Sequence, residues 1–182
     1  VKVTMIVGMP GVGKSTVMKR FMARVGEWKF ESPKWVPHHV HTCEGDIVGV
    51  LGRYDDLTHE FPGTDRMSMA CQPHVVDFIL KARNLGWRSI FFEGDRLGND
   101  KMIKSMQYIV NDFLVMHIKS TRNFERASQT DTFRQSRATK LRNMFASHGR
   151  LSRAAGPAPK VVFNNGVNDL DEIANWLIEN RL

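Results

Sequence analysis

Residues Gly8-Met9-Pro10-Gly11-Val12-Gly13-Lys14-Ser15 place glycines, a lysine and a hydroxyl at the spacing G-x-x-x-x-G-K-[ST]. Each residue type has a distinct use against a polyphosphate. Glycines let successive backbone N–H groups turn inward around an anion with no Cβ in the way. The Lys14 ammonium reaches the outer phosphates, and the Ser15 hydroxyl can ligate magnesium. Gly8, Gly11, Val12, Gly13, Lys14, Ser15 and Thr16 are therefore the candidate nucleotide-binding residues, with Lys14 also serving the transferring phosphate. A bare glycine turn between a strand and a helix needs neither the lysine nor the hydroxyl.

Transfer of a phosphoryl group to an alcohol also needs a carboxylate near the acceptor and cations for the charge that develops. Two acid–base pairs compete for these duties. Gly63-Thr64-Asp65-Arg66 lies in a loop before a helix, and Glu93-Gly94-Asp95-Arg96 follows an apolar run. Asp65, with Arg66 beside it, is expected on the acceptor side as base; Glu93 and Asp95 are expected as carboxylates of magnesium, its water or the acceptor. A surface ion pair or a helix cap is the plainer account of such dipeptides.

Further on, Phe133, Arg137, Leu141 and Phe145 recur every four residues and form one row of a helix. An arginine in an apolar row must reach outward along its stem or meet an anion. With Arg134, and with Arg122 and Arg126 one element earlier, it suggests a lid closing over a triphosphate. Arg122 is assigned to the nucleotide, and Arg126, Arg134 and Arg137 to the transferring phosphate. His39, His41 and Cys43 alternate along an extended stretch, but a fourth zinc ligand at credible spacing is missing, so they read as partly buried strand residues.

The elements that must position these groups alternate strand and helix. Val3 to Val7 is an apolar strand leading into the glycines. Val17, Met18, Phe21, Met22 and Val25 then fall on one helical face, with Gly26 as the stop. Pro73 suits the start of a helix carrying Val75, Val76, Ile79 and Leu80 inward, closed by Gly86. The strand Ser89 to Phe92 delivers Glu93 to its C-terminal end, where chemistry in parallel sheets gathers. Asn99 or Asp100 caps a helix, a strand runs from Phe113 to Ile118, and two helical pieces follow, the second ending near Ala146. After the Gly156 to Pro159 linker come a strand, Lys160 to Phe163, and a last helix, Asp169 to Asn180. Between Trp28 and Gly63 only His38 to Cys43 and Ile47 to Leu51 read as extended, and their pairing is open. The pattern is α/β: helices on a mostly parallel, roughly five-stranded sheet with right-handed crossovers.

At 182 residues and 42% hydrophobic, the chain suits one domain, 1–182. No run approaches the roughly 18 apolar residues that span a bilayer, so a soluble protein without membrane partners is expected. Cys43 and Cys71 read as free thiols. The formal charge is +7. Nine basic residues between Lys119 and Arg153 stand against Glu125 and Asp131 alone, so this segment holds the whole excess. Charge concentrated in this way fits a polyanion, either nucleotide phosphates or a nucleic-acid backbone; a solvated basic helix face is the alternative.

Together the phosphate loop, Glu93 to Arg96, the arginine-rich segment and the turn Asn164-Asn165-Gly166-Val167-Asn168-Asp169 resemble the P-loop nucleoside and nucleotide kinase family over most of the chain. The resemblance implies a P-loop kinase-like three-layer sandwich with an Arg-rich lid at 119–153 and an acceptor-binding region at 28–72. It implies ATP and Mg2+ as cofactors, with Asn165 bordering the adenine; a simple helix cap at Asn168 or Asp169 is the alternative for that turn. More narrowly, Gly63-Thr64-Asp65-Arg66-Met67-Ser68-Met69-Ala70 resembles a segment of phage-encoded 5-hydroxymethyluracil DNA kinases. That likeness implies transfer of the γ-phosphate to the base hydroxymethyl group during thymidine hypermodification, with DNA containing a modified pyrimidine as partner and the cytoplasm of an infected bacterium as location. The Trp28 to Gly63 stretch departs from the usual free-nucleotide kinase pattern. A kinase of a free nucleoside, nucleotide or small alcohol, and a nucleic-acid-binding NTPase switch, are the competing expectations.

Overall fold

Lys2–Val7 forms β1, buried at every position after the first because both faces of the strand are covered. The structure, a computed structural model, describes residues 1–9, 11–54, 63–94, 96–120, 135, 139 and 160–182. After β1 come α1 (Lys14–Val25), β2 (Lys29–Glu31), β3 (His38–Cys43) and β4 (Asp46–Leu51). A 3-10 turn (Thr64–Arg66), α2 (Gln72–Asn84), β5 (Ser89–Glu93), α3 (Asp100–Ile109), β6 (Asp112–Lys119), β7 (Lys160–Phe163) and α4 (Val167–Arg181) complete the order.

Seven strands make one sheet, in the order β2-β3-β4-β5-β1-β6-β7. The expected parallel sheet of about five strands is its core, β4-β5-β1-β6-β7; β3 and β2 extend it antiparallel. The extension follows from a two-residue turn between β3 and β4. Glu44 and Gly45 there take φ of 52° and 89°, the left-handed pair whose twist suits a tight hairpin.

Alternation along β1 separates two apolar layers. Val3, Met5 and Val7 join Ile79, Phe92, Met102, Ile103 and Met106 on the α2–α3 side. Ile6 joins Val17, Met18, Phe21, Phe91 and Leu177 on the α1–α4 side. Phe21 is fully buried, its ring centroid 4.5 Å from that of Phe91. Burying a side chain of this size contributes about 1.5–3 kcal/mol.

The last helix is locked to the strands from below. Arg181 is buried, donating through Nε to Thr4 Oγ1 at 2.9 Å and through a guanidinium nitrogen to Asp112 at 2.6 Å. Asn99 is the cap of α3, its side chain accepting from the Met102 N–H at 3.0 Å. Among the described residues no helix is long and apolar enough to cross a membrane.

Candidate active site

The parallel order carries β1 and β5 side by side, with Ile6 in register with Glu93, so the phosphate loop and the β5 carboxylate emerge together. Gly8, Gly11 and Gly13 have φ of 157°, 86° and 97°. These values favour glycine, and space demands it as well. A Cβ on Gly8 would collide with the Ile118 carbonyl oxygen, and one on Gly13 would lie 2.7 Å from Leu170 Cδ2. Val12 is buried beneath the loop, whereas Thr16 points outward from α1 and is exposed.

This cradle suits a nucleotide phosphate. Among the described residues no side chain caps α1 and none in its first turn is acidic, so the positive end of the helix is open to an anion. Lys14, 8% exposed, donates to the carbonyls of Gly8 at 3.0 Å and Met9 at 3.2 Å, which holds its ammonium at the mouth of the loop.

Glu93 is the hub of the site. It is 1% exposed, and its Oε1 accepts from the Ser15 hydroxyl at 2.9 Å and from the Tyr54 hydroxyl at 3.1 Å. Burial pushes its carboxyl up to about 7, and the charge of Asp65 pushes the same way; Lys14 and the two hydroxyl donors pull against them. Burial above all, together with Glu93, holds the Tyr54 phenol well above the ordinary tyrosine range. A serine hydroxyl and a carboxylate 2.9 Å apart beside a phosphate cradle are the donors magnesium takes, and both come from the residues expected to hold it. Ser15 and Glu93 would hold magnesium there, and the ion would supply positive charge against nearby phosphate.

Asp65 and Arg66 lie in the 3-10 turn, which is fastened to the end of β5. The Thr64 hydroxyl donates to the Glu93 carbonyl. A Cβ on Gly94 would lie 2.8 Å from Thr64 Oγ1 and 3.1 Å from Asp65 Oδ1. The structure thus brings Lys14, Ser15, Glu93 and Asp65 into one neighbourhood, with Arg66 half-buried beside them. Asp95, Arg122, Arg126, Arg134 and Arg137 lie outside the described residues, as does nearly all of the expected lid.

In the Asn164 to Asp169 turn the two asparagines make different contacts. Asn165 is exposed, and its backbone N–H donates to the Asp169 carboxylate at 2.7 Å, an arrangement that ends β7 and starts α4. Asn164 is buried; its amide donates to the Val12 carbonyl at 2.8 Å, and its Oδ1 is buried with no hydrogen-bond partner among the described residues. Asn164 therefore braces the phosphate loop from behind. On β3, His39 accepts from the Tyr54 N–H at 3.2 Å, His41 sits 2.7 Å from the Glu27 carbonyl and packs on Trp28, and Cys43 is exposed. No motif marks Tyr54, and Thr64 and Asn164, though they lie inside the segments singled out above, gain their roles only through contacts distant in sequence.

No family model matches this chain, and no curated protein matches it. Among solved structures it is similar to the G domain of the FeoB iron transporter of T. maritima, at 12% identity over 96% of each chain with a TM-score of 0.38. It is also similar to a nucleolar GTP-binding protein 1 of Plasmodium falciparum, at 13% identity over 98% of this chain and 87% of that one, with a TM-score of 0.37. Both TM-scores lie below 0.5, and the chemistry of the site rests on its own geometry. A glycine cradle, a buried lysine and a serine–carboxylate pair stand together at the strand ends of a mostly parallel, seven-stranded α/β fold.

Proposed function

We propose that this protein is a magnesium-dependent phosphotransferase that moves the γ-phosphate of ATP to a hydroxyl, and that the hydroxyl is the 5-hydroxymethyl group of 5-hydroxymethyluracil in DNA. The observation that carries the phosphotransferase reading is the position of Asp65. It is a second carboxylate, placed against Gly94 at the end of β5 beside the Glu93–Ser15 pair. One carboxylate can serve the metal while the other meets the acceptor.

In this reading the acceptor oxygen attacks the γ-phosphorus and the bond to the bridging oxygen of the leaving diphosphate breaks. The hydroxyl proton passes to the Asp65 carboxylate. Lys14 exchanges its loop carbonyls for phosphate oxygens. The choice of acceptor is supported by the likeness of Gly63 to Ala70 to the DNA kinases and by the positive charge gathered between Lys119 and Arg153.

Asp65 is equally placed to orient a water, which favours an NTPase switch as the second reading. Incubation with γ-labelled ATP or GTP and a panel of free nucleosides, nucleotides, ordinary DNA and hydroxymethyluracil DNA separates the two. The label should move from ATP to hydroxymethyluracil DNA. Label released only as inorganic phosphate would replace the kinase with the switch, and efficient labelling of a free nucleoside would move the acceptor to a small molecule.

A further inference from the structure

Tyr54 has no part in the chemistry above, yet its hydroxyl meets the same Glu93 oxygen as Ser15. A buried phenol is costly unless its oxygen is hydrogen-bonded, and phenylalanine would fill the same space without that cost. The surroundings aim this hydroxyl. Its backbone N–H donates to His39 Nε2 at 3.2 Å, and its ring is 6.0 Å from that of His39. Beside it, Arg53 and Gly63 exchange backbone hydrogen bonds of 3.1 and 2.7 Å. Gly63 then passes so close that a Cβ on it would strike Glu93 Oε1 and lie 2.8 Å from the Tyr54 oxygen. A buried donor and a glycine at φ 79° thus converge on one carboxylate oxygen.

We infer that Tyr54 is a positioning residue for Glu93: its hydroxyl fixes the carboxylate so that Glu93 and Ser15 together present a divalent-cation site. The Ser15 oxygen has one proton and two lone pairs. It can keep donating to Glu93 while offering a lone pair to a cation, provided the carboxylate does not turn away, and Tyr54 supplies that restraint. The inference rests on the metal role given to Ser15 and Glu93 in the proposed function.

The chain contains two tyrosines, and Tyr108, on α3, is 91% exposed. Protein labelled throughout with 3-fluorotyrosine should therefore give two fluorine resonances, assigned by the loss of one in Tyr108→Phe, which removes only an exposed ring. Adding Mg2+ to the complex with a non-hydrolysable ATP analogue should move the Tyr54 resonance and leave that of Tyr108 in place. In parallel, Tyr54→Phe should weaken Mn2+ binding to the analogue complex by roughly tenfold, the lower end for a residue that orients a metal ligand. Analogue affinity without metal should not change, and in a Glu93→Gln background the Tyr54→Phe effect should vanish.

A folded Tyr54→Phe protein that binds Mn2+ like the parent overturns the inference, as does an equal loss in the Glu93→Gln background. Should Tyr54→Phe not fold, the fluorine measurement decides on the unsubstituted chain, and a Tyr54 resonance unmoved by Mg2+ overturns it there. None of these readouts uses phosphoryl transfer. Should no acceptor take the label while the fluorine and Mn2+ results hold, the proposed function falls and the role of Tyr54 stands.

Discussion

The Lys14 ammonium donates to two carbonyls of its own loop, so a bound phosphate has to win it from them. Lys14→Ala should abolish transfer while circular dichroism stays native, because the loss is of charge at the outer phosphates and not of core packing. Asp65→Asn should lower turnover about a hundredfold with nucleotide affinity little changed, as expected for loss of a general base; steady-state kinetics with separate nucleotide binding checks both halves. Glu93 gives a pH signature. Its carboxyl stands at about 7 in the fold against 4.5 ordinarily, so the folded state holds a proton that the unfolded state releases between these values. Its contribution is fully present below about 4.5 and is lost as pH rises through about 7, by roughly 3 kcal/mol at most. Denaturant melts across that range should show Glu93→Gln without this component, and Mn2+ affinity of the parent should climb with pH until about 7 as the competing proton leaves.

At the scale of the elements, the turn after β7 matters more for its contact with the phosphate loop than for its sequence pattern. Asn164→Ala removes the donor to the Val12 carbonyl, and should cost about 1 kcal/mol of stability and several-fold in nucleotide affinity, measured by thermal melts and nucleotide titration. The parallel strands β1, β5 and β6 were legible because double burial leaves near-continuous apolar runs. In the stretch from Trp28 to Gly63, His38 to Cys43 and Ile47 to Leu51 were legible as strands, but β2 and the pairing were not. Its short β2 and histidine-rich β3 carry no such run, and what they do depends on pairing across the Glu44-Gly45 turn. The same division holds for the site. Lys14, Ser15 and Glu93 could be read from a motif and a strand end, whereas Tyr54 and Asn164 act across 39 and 152 residues of chain.

At the scale of the whole molecule, Glu93 is opposed by His117. Burial first, then Lys119 and Lys14, lower its imidazole to about 4 from 6.5. That contribution is present above 6.5 and is lost as pH falls toward 4, so the two groups offset each other across the mildly acid range. The +7 charge makes a separate prediction about a polymer partner. If the surface between Lys119 and Arg153 tracks a DNA backbone, affinity should fall steeply with salt, and neutralising Arg142, Arg150 or Arg153 should flatten that slope by about one unit per lost phosphate contact. Substitution at Arg126, Arg134 or Arg137 should instead depress turnover on every acceptor. Binding and turnover measured across a salt series distinguish the two groups; DNA binding indifferent to salt would remove the polymer from the proposal.

The fastening of the Thr64–Arg66 turn to Glu93 has a thermodynamic corollary. Thr64 holds the Glu93 carbonyl, Gly63 passes over its carboxylate, and Asp65 follows directly, so the proposed acceptor side and the proposed cation side share one piece of backbone. Anything that steadies that backbone from one side steadies it for the other, and linkage requires the benefit to be mutual. In the proposed reaction, the factor by which a bound acceptor tightens the cation is the factor by which the cation tightens the acceptor, which would make this turn the place where acceptor and cation sense each other before any bond is broken.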